Sequence, residues 1–265
     1  MRLPAAKKEL GQHFLVDENI LGVIGRLAEL APEDVVLEVG PGLGVLTAYL
    51  ADRVASVHAV ELDRSLESPL AERLRGHAHV DLHFGDALRL DLRALDPAPT
   101  KLVSNLPYNI ATPLVVESLA GLPSLQLWCV MVQREVADRF FAEPSTKAYG
   151  AVSVLVQLAA ERTGFHAVSR TVFRPRPNID SALVAFRRRA DATYGAQDLA
   201  RVKQVVTAAF AHRRKRLANS LELSGIATRP EAEGALAEVG RDPRARAEEL
   251  APPEFVTLTN ALARE

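Results

Sequence analysis

The chain has 265 residues, of which 48% are hydrophobic and 25% are charged, and its formal net charge is −1. This balance is typical of a globular protein with one or two domains and its own hydrophobic core. A single cysteine, Cys129, excludes a disulfide framework and argues against a zinc site. The first residues show no apolar h-region with a small-residue cleavage site, and no apolar run reaches membrane-spanning length. We therefore expect a cytoplasmic protein without a secretory signal that binds no metal and no membrane.

The first half of the chain alternates short apolar runs with segments of helical periodicity. Apolar runs of this length indicate buried strands, and strand–helix alternation indicates parallel βαβ units in a doubly wound sheet. In chain order we predict a helix from an N-cap at Asp17 to Leu30, a strand at Val35–Val39, a helix near Leu43–Ala51, a strand at Val54–Val60, a helix at Ser65–Arg75, strands at Val80–Phe84 and Lys101–Asn105, a helix at Thr112–Leu119 and a strand at Leu125–Val132.

The pattern changes after Tyr149. We predict a helix at Val152–Ala160, a rigid proline-punctuated loop at Phe173–Asn178 and a late strand at Ser181–Phe186, followed by helices near Gln197–His212, Arg213–Leu223, Pro230–Val239 and Pro253–Leu262. Polar residues and a glycine interrupt the apolar pattern near 190–196. We therefore expect an α/β domain over residues 1–189 and a small all-α domain over residues 190–265.

Basic residues are concentrated in one part of the chain. Between Arg170 and Arg216 there are twelve basic and three acidic residues, a net charge of +9, which leaves −10 on the rest. Such segregation indicates either a polyanion-binding face or a set of solvated helix surfaces. The run Arg213, Arg214, Lys215 and Arg216 is the densest part of this segment, and it forms either a solvated helix start or a contact to nucleic-acid phosphates.

A glycine-rich turn, EVGPGLG, follows the first predicted strand and begins at Glu38. Glycines allow a tight turn and a close approach to a ligand, and Glu61, which ends the next strand, is placed to bind ribose hydroxyls. The spacing GxGxG differs from the GxGxxG fingerprint of dinucleotide sites. S-adenosylmethionine has no pyrophosphate, and its sulfonium and amino-acid end tolerate an acid such as Glu38. The turn favours this cofactor over NAD, with a purely structural glycine turn as the alternative.

Two further motifs end predicted strands. Asp86, in Gly-Asp-Ala after the third strand, is placed either to accept a hydrogen bond from the adenine amine of a cofactor or simply to cap a helix. Asn105-Leu106-Pro107-Tyr108 follows the fourth strand. Adenine N6 is a poor nucleophile because its lone pair is delocalised. The Asn105 oxygen and a carbonyl of Leu106 or Pro107 can hold both amine hydrogens and free that lone pair, while Tyr108 can stack on the base. A tight proline turn with a core tyrosine is the alternative.

With these motifs in place, the sequence resembles the small-subunit ribosomal RNA adenine N6,N6-dimethyltransferases, the KsgA family. The resemblance covers nearly the whole chain. The segment KKELGQHFLVDENI is similar to the family's GQNFL box, and VLEVGPGLGVLT, VELD and GDAL are similar to its cofactor motifs. NLPYNIATPL is similar to its catalytic loop. VFRPRPNIDSALV also matches a family segment, and AFAHRRKRLANSL is similar to its RRK box.

The resemblance implies a seven-stranded, Rossmann-like class I methyltransferase domain with a helical RNA-binding domain. It implies that the cofactor contacts come from His13, Leu15, Gly40, Glu61, Asp86 and Asn105, and that the target amine is held by Asn105, Pro107 and Tyr108, with Phe173 as a second stacking wall. Phe173 as a hydrophobic plug is the alternative. Two positions depart from the family pattern: His13 replaces the usual Asn, and Arg216 replaces a usual Thr.

The function that the resemblance implies is dimethylation of two adjacent adenosines near the 3′ end of 16S rRNA by a monomer acting on a pre-ribosomal 30S particle. Two alternatives remain. One is a large-subunit rRNA adenine N6-methyltransferase of the antibiotic-resistance type, and the other is a non-catalytic RNA-binding assembly factor. The segment RRKRLANSL favours the small-subunit enzyme over the first, and Glu61, Asp86 and the NLPY motif argue against the second.

Overall fold

A computed structural model describes residues 12–190 and 196–263, with side chains described throughout except at 196–198. The chain divides into two compact units. The first comprises the described residues up to Ala137 together with Arg162–Arg188, and the second comprises Asp138–Glu161 and the described residues from Arg189 onward.

A seven-stranded sheet forms the centre of the first unit, with strand order β4-β3-β2-β5-β6-β9-β7, and β1 pairs with β8 in a separate two-stranded ribbon. The strands are β1 (Phe14–Leu15), β2 (Val35–Val39), β3 (Ser56–Glu61), β4 (Val80–Phe84), β5 (Lys101–Asn105), β6 (Leu127–Gln133), β7 (Ala160–Val168), β8 (Phe173–Arg174) and β9 (Ser181–Arg188). Strands β2 to β6 pair in parallel, and β9 pairs antiparallel with β6.

The helices are α1 (Asn19–Leu27), α2 (Val45–Ala51), α3 (Glu67–Arg73), α4 (Ala111–Gly121), α5 (Arg134–Phe140), α6 (Ala151–Ala159), α7 (Ala196–Ala211), α8 (Leu217–Leu223), α9 (Arg229–Glu238) and α10 (Pro252–Ala261). The predicted alternation of strands and helices, and the seven-stranded sheet, are confirmed. Among the described residues, no helix is both long enough and apolar enough to cross a membrane.

The central strands were predictable because both of their faces are covered. Every residue of β2 is buried, as are the first six of β6, and such strands consist of nearly continuous apolar runs. Strand β7 was missed. It is an edge strand of the sheet with only its two end residues buried, so its sequence, AERTGFHAV, shows neither an apolar run nor an alternating pattern.

The predicted domain boundary needs a correction at residues 138–161. They were assigned to the first domain, but the structure groups them with the C-terminal helices. Tyr149, Val154 and Leu158 belong to the same hydrophobic core as Leu217 and Phe255. The Tyr149 hydroxyl also donates to the Leu250 carbonyl at 2.7 Å. The C-terminal part of the second unit begins at Arg189, and residues 191–195 lie outside the described residues.

Candidate active site

The glycine turn after β2 is required by backbone geometry. Gly40, Gly42 and Gly44 have φ angles of +78°, +58° and +73°, a region that favours glycine. A Cβ atom at Gly40 would lie 3.0 Å from Pro107 Cγ, and one at Gly42 would lie 3.0 Å from Phe14 Cδ1. The turn therefore places bare backbone against both the Asn-Leu-Pro-Tyr loop and the segment that begins β1.

A cleft of about 190 Å³ opens at the carboxyl ends of the parallel strands. Ligands of open α/β sheets bind at this edge. Seven of the predicted site residues line the cleft, namely His13, Gly40, Glu61, Asp86, Asn105, Pro107 and Tyr108. Leu15 lines a smaller cavity of about 30 Å³ that also shares Gly40, Gly42 and Asn105 with the cleft.

Glu61 is held rigidly at the end of β3. Its Oε2 accepts the backbone N–H of Gly42 at 3.1 Å, and its Oε1 accepts that of Asp63 at 2.8 Å. Burial raises the pKa of Glu61, while these backbone donors oppose the shift. A carboxylate oxygen can accept more than one hydrogen bond, so both oxygens keep capacity for a ligand diol. This geometry fits the predicted contact with ribose hydroxyls.

Asp86 serves a local turn and also lines the cleft. Its Oδ1 accepts the backbone N–H of Leu88 at 3.0 Å, which is the capping role that we considered as the alternative. Among the described residues, no hydrogen bond reaches Oδ2, which leaves an acceptor beside the cleft. The two roles are therefore compatible in one side chain. Leu62, whose side chain is 54% exposed at the cleft, was not predicted and adds an apolar surface there.

Asn105, at the end of β5, has a defined orientation. Its Nδ2 donates to the backbone carbonyl of His13 at 3.2 Å, so the acceptor Oδ1 accepts no hydrogen bond from the described residues. The carbonyl of Pro107 already accepts the N–H groups of Ile110 and Ala111, which begin α4. Of the two carbonyls that the sequence left open, that of Leu106 is the one with acceptor capacity for a substrate amine.

The aromatic side of the cleft is built by Tyr108 and His13. The Tyr108 hydroxyl and Ser181 Oγ are 2.7 Å apart, and burial raises the pKa of the Tyr108 phenol. His13 Nδ1 lies 2.7 Å from the Pro175 carbonyl, which can only accept, so Nδ1 carries the proton. The two ring centroids are 5.5 Å apart. His13 thus contributes its carbonyl to Asn105 and its ring to Tyr108.

Phe173 does not form a wall of the cleft, which corrects the prediction of a second stacking ring. Its side chain is 2% exposed and belongs to the hydrophobic core together with Leu15 and Leu183. Strand β8 pairs with β1 so that Phe173 lies opposite Leu15 in the ribbon. The loop predicted at Phe173–Asn178 therefore begins as a strand, and its aromatic side chain packs inward. The structure supports the alternative interpretation of Phe173 as a hydrophobic plug.

The basic run in the second unit separates into two kinds of residue. Arg213 is bound to the protein itself: its Nε pairs with Glu248 Oε2 at 3.1 Å, and its Nη2 donates to the carbonyls of Thr146 and Lys147. Arg214, Lys215 and Arg216 are exposed, and no hydrogen bond or ion pair of their side chains occurs within the described residues. The run lies in the turn between α7 and α8, not in the predicted helix.

Part of the wider basic segment is also structural. Arg187 pairs with Glu29 at 2.6 Å, and Arg188 donates to the carbonyls of Leu119, Leu122 and Leu125 near the end of α4. Arg187 neutralises a surface acid, and Arg188 satisfies backbone carbonyls at the end of helix α4 and in the loop after it. The net charge of this segment therefore overstates the charge available to a polyanion.

Cys129 is fully buried in β6, and burial raises the pKa of its thiol to about 12, which makes it a core residue. Within the described ranges, no group of three or more His, Cys, Asp or Glu side chains is arranged to hold a metal ion. His58 and His83 contact each other at 3.2 Å, a pair that the sequence did not predict. The chemistry of the first unit is thus concentrated in the cleft.

The fold and the site define a class I methyltransferase. Its marks are the mostly parallel sheet, the glycine turn, the carboxylates at the strand ends and the Asn-Leu-Pro-Tyr loop. Solved structures show the same fold. A dimethyladenosine transferase from Plasmodium falciparum has a TM-score of 0.75 at 22% identity and covers 93% of this chain and 96% of its own. The 23S rRNA methyltransferase ErmE has a TM-score of 0.67 at 31% identity and covers 94% and 99%.

The chain belongs to the ribosomal RNA adenine dimethylase family, which it matches over residues 4–263. It is 49% identical over 257 residues to "Ribosomal RNA small subunit methyltransferase A" of Rubrobacter xylanophilus, covering 97% of this chain and 95% of that protein. Its identity to the protein of the same name in Thermobifida fusca is 45%, covering 95% and 88%. The predicted family is confirmed.

Proposed function

We propose that this protein transfers methyl groups from S-adenosylmethionine to N6 of two adjacent adenosines near the 3′ end of small-subunit rRNA, and so takes part in small-subunit biogenesis. The observation that carries the proposal is the orientation of Asn105. The His13 carbonyl holds its amide nitrogen, so its oxygen is left as an acceptor in the cleft. A ligand that offers two N–H donors, as an adenine amine does, complements this oxygen and the Leu106 carbonyl.

The residues of the cleft fit the proposed cofactor. The carboxylate of Glu61 suits the ribose diol, and Asp86 Oδ2 suits the amine of the cofactor's adenine. Gly40 and Gly42 allow the amino-acid end to approach bare backbone at a position where a side chain would not fit. When bound, S-adenosylmethionine supplies an electrophilic methyl group. The cleft holds the target amine close to the methyl group, and this proximity alone lowers the barrier to methyl transfer.

The activation of the amine follows from hydrogen bonding. Two acceptors, Asn105 Oδ1 and the Leu106 carbonyl, bind the two N6 hydrogens and favour a tetrahedral nitrogen whose lone pair can attack. Such preorganised polar groups stabilise charge that develops in the transition state. The surplus proton leaves after transfer, so no strong base is needed. Tyr108, half-buried and bound to Ser181, offers a stacking face for the base.

The choice of small-subunit rRNA rests on the relatives. Proteins named for the small subunit are 40–49% identical to this chain, whereas ErmE, named for 23S rRNA, is 31% identical. The proposal includes the predicted pre-ribosomal 30S substrate, the monomeric state and the cytoplasmic location. It also assigns RNA phosphate contacts to Arg214, Lys215 and Arg216, which are exposed in the second unit. Arg213 is left out of that set because the protein itself binds it.

The test uses purified protein, S-adenosylmethionine, and ribosomal subunits from a strain that lacks the corresponding gene. We expect N6,N6-dimethyladenosine in the 16S rRNA of 30S particles, detected by primer extension and nucleoside mass spectrometry, and none in 23S rRNA. Asn105→Ala is the inactive control. Methylation of 23S rRNA alone would support the large-subunit alternative, and binding of 30S particles with no methylation would support the assembly factor.

A further inference from the structure

The start of β9 carries a buried serine that the proposed mechanism does not use. Ser181 is the first residue of this strand, and it pairs with Gln133, the last residue of β6. Because β9 runs antiparallel to β6, Ser181 lies at the carboxyl ends of the parallel strands, where the cleft opens. It is 1% exposed, and the next five residues of the strand, 182–186, are buried and apolar. A polar side chain in such surroundings needs a hydrogen-bond partner.

The partner is the tyrosine of the Asn-Leu-Pro-Tyr loop. Ser181 Oγ lies 2.7 Å from the phenolic oxygen of Tyr108, and no other hydrogen bond of either hydroxyl occurs within the described residues. Burial raises the pKa of Tyr108, so the phenol stays neutral at physiological pH and can donate as well as accept. A buried hydroxyl is unfavourable unless it is hydrogen-bonded, so an apolar strand gains from a serine here only through this bond.

The bond fixes the direction of the Tyr108 ring. Tyr108 follows Pro107 on a loop and is only partly buried, so the hydrophobic core does not enclose its ring. The hydroxyl lies at the far end of the ring, and its bond to a strand of the central sheet restricts both side-chain torsions of the tyrosine. The ring of His13 is a further neighbour, with its centroid 5.5 Å away. The Tyr108 ring is thus held in place before any ligand enters the cleft.

We propose that Ser181 is a positioning residue for methyl transfer, because its hydroxyl holds the Tyr108 ring as a preformed stacking face for the target adenine. Ser181 does not touch the base and acts through Tyr108 alone. The phenolic oxygen of Tyr108 is then an anchor for the ring and takes no part in proton transfer. The inference rests on the proposed function, because it takes an adenine as the base that enters the cleft.

The expected effect is on the rate and not on the affinities. Without the Ser181 hydroxyl, the ring must be ordered when the base arrives, and this ordering reduces the free energy gained from stacking. The adenine is then held less firmly beside Asn105. We expect the methylation rate to fall by about 3–10-fold, the range that one hydrogen bond supports. Affinity for the whole RNA should change little, because phosphate contacts dominate it.

The experiment is a double-mutant cycle over Ser181→Ala and Tyr108→Phe, which break the same bond from its two ends. Single-turnover methylation of 30S particles at saturating cofactor measures the rate. Titrations with 30S particles and with S-adenosylhomocysteine measure the two affinities. We expect each single variant to be about 3–10-fold slower than wild type, and the double variant to be no slower than the single variants. Both affinities should stay close to the wild-type values.

Ser56→Ala is the matched control. Ser56 is also a buried serine that begins a strand, β3, but it lies at the amino end of that strand, and its Oγ donates to the His79 carbonyl at 3.3 Å. The methylation rate of Ser56→Ala should equal that of wild type. A second readout is the NMR chemical shift of Tyr108 Cζ in the protein without cofactor. We expect this shift to change in Ser181→Ala and to stay unchanged in Ser56→Ala.

The outcomes separate the inference from the proposed function. A wild-type rate in Ser181→Ala, or a double variant whose loss is the product of the two single losses, overturns the inference alone. An unchanged Tyr108 Cζ shift in Ser181→Ala also overturns it, because the bond is then absent. If the wild-type protein does not methylate 30S particles, the proposed function falls and the inference falls with it. If Ser181→Ala does not fold, Tyr108→Phe decides: a slower rate with unchanged affinities supports the inference, and a wild-type rate overturns it.

Discussion

The cleft of the first unit and the basic run of the second differ in how well residue type predicts role. In the cleft, residues that are far apart in sequence line one cavity, as do His13 and Tyr108, which are 95 positions apart. In the basic run, neighbours in sequence have different surroundings, since Arg213 is bound to Glu248 while Arg214 is exposed. The carboxyl ends of parallel strands lie at one edge of the sheet, so residues that end these strands come together in any such fold. The direction of an arginine side chain on a turn depends instead on its local contacts.

The largest effect that we expect is at Asn105. Asn105→Ala removes the side-chain acceptor for the amine, and loss of one preorganised polar group of this kind lowers kcat by about 10²–10³-fold. Single-turnover methylation of 30S particles at saturating cofactor measures it. The matched control is Asn260→Ala, the same substitution at an exposed site in the second unit, which should behave as wild type. Near-normal turnover in Asn105→Ala would remove this residue from the mechanism.

A smaller effect is expected at Glu61. Glu61→Gln keeps the shape but loses the charge-assisted bonds to the ribose, which contribute about 1.5–3 kcal/mol. The Kd of S-adenosylmethionine should rise by roughly 10–150-fold in a calorimetric titration. Glu72→Gln, at an exposed position of α3, is the control for the substitution itself. Unchanged affinity in a folded Glu61→Gln protein would contradict the ribose contact.

The third prediction tests the division within the basic run. Substituting Arg214, Lys215 and Arg216 together by Ala should weaken RNA binding and lower the log–log salt slope by about 0.7–0.9 for each phosphate that the protein no longer neutralises. Affinity for the cofactor should not change. If the salt slope stays at the wild-type value, the three side chains are a solvated surface.

Arg213→Ala provides the matched comparison. It removes an exposed ion pair and two bonds to carbonyls, so we expect a lower Tm, with a loss of about 1 kcal/mol, and a nearly unchanged salt slope. Thermal unfolding and the same binding titrations measure both quantities. An Arg213→Ala protein with wild-type Tm and a clearly reduced slope would show that Arg213 binds RNA after all.

The smallest change in methylation activity is expected at Phe173. Because its ring packs in the core, Phe173→Leu should keep most of the methylation rate and lose at most about 1.5 kcal/mol of stability. Phe173→Ala should be less stable by about 3–5 kcal/mol, since it leaves a cavity. Single-turnover rates beside melting curves for both variants decide the matter. A stable Phe173→Leu protein with a strongly reduced rate would restore the stacking role.

The strands that were predicted with the observed bounds, Val35–Val39, Val80–Phe84 and Lys101–Asn105, lie in the parallel part of the sheet. Short apolar or alternating runs between turn residues specify such strands locally. The lining of the cleft could be predicted from the sequence, because the glycine turn, Glu61, Asp86 and the Asn-Leu-Pro-Tyr loop end four consecutive predicted strands. Helix α5 and strand β7 could not be predicted, since neither has a periodic apolar pattern of its own.

The sequence by itself determined the class of fold, the family, and seven of the residues that line the cleft, because strand-end motifs carry both position and chemistry. Tertiary structure alone decided that Phe173 faces the core, that the Leu106 carbonyl and not that of Pro107 is available, and that Arg213 is already bound. It also decided that Oε2 of the buried Glu38 has no hydrogen-bond partner among the described residues. These properties depend on which groups meet across the fold, and residue type does not encode the identity of a distant neighbour.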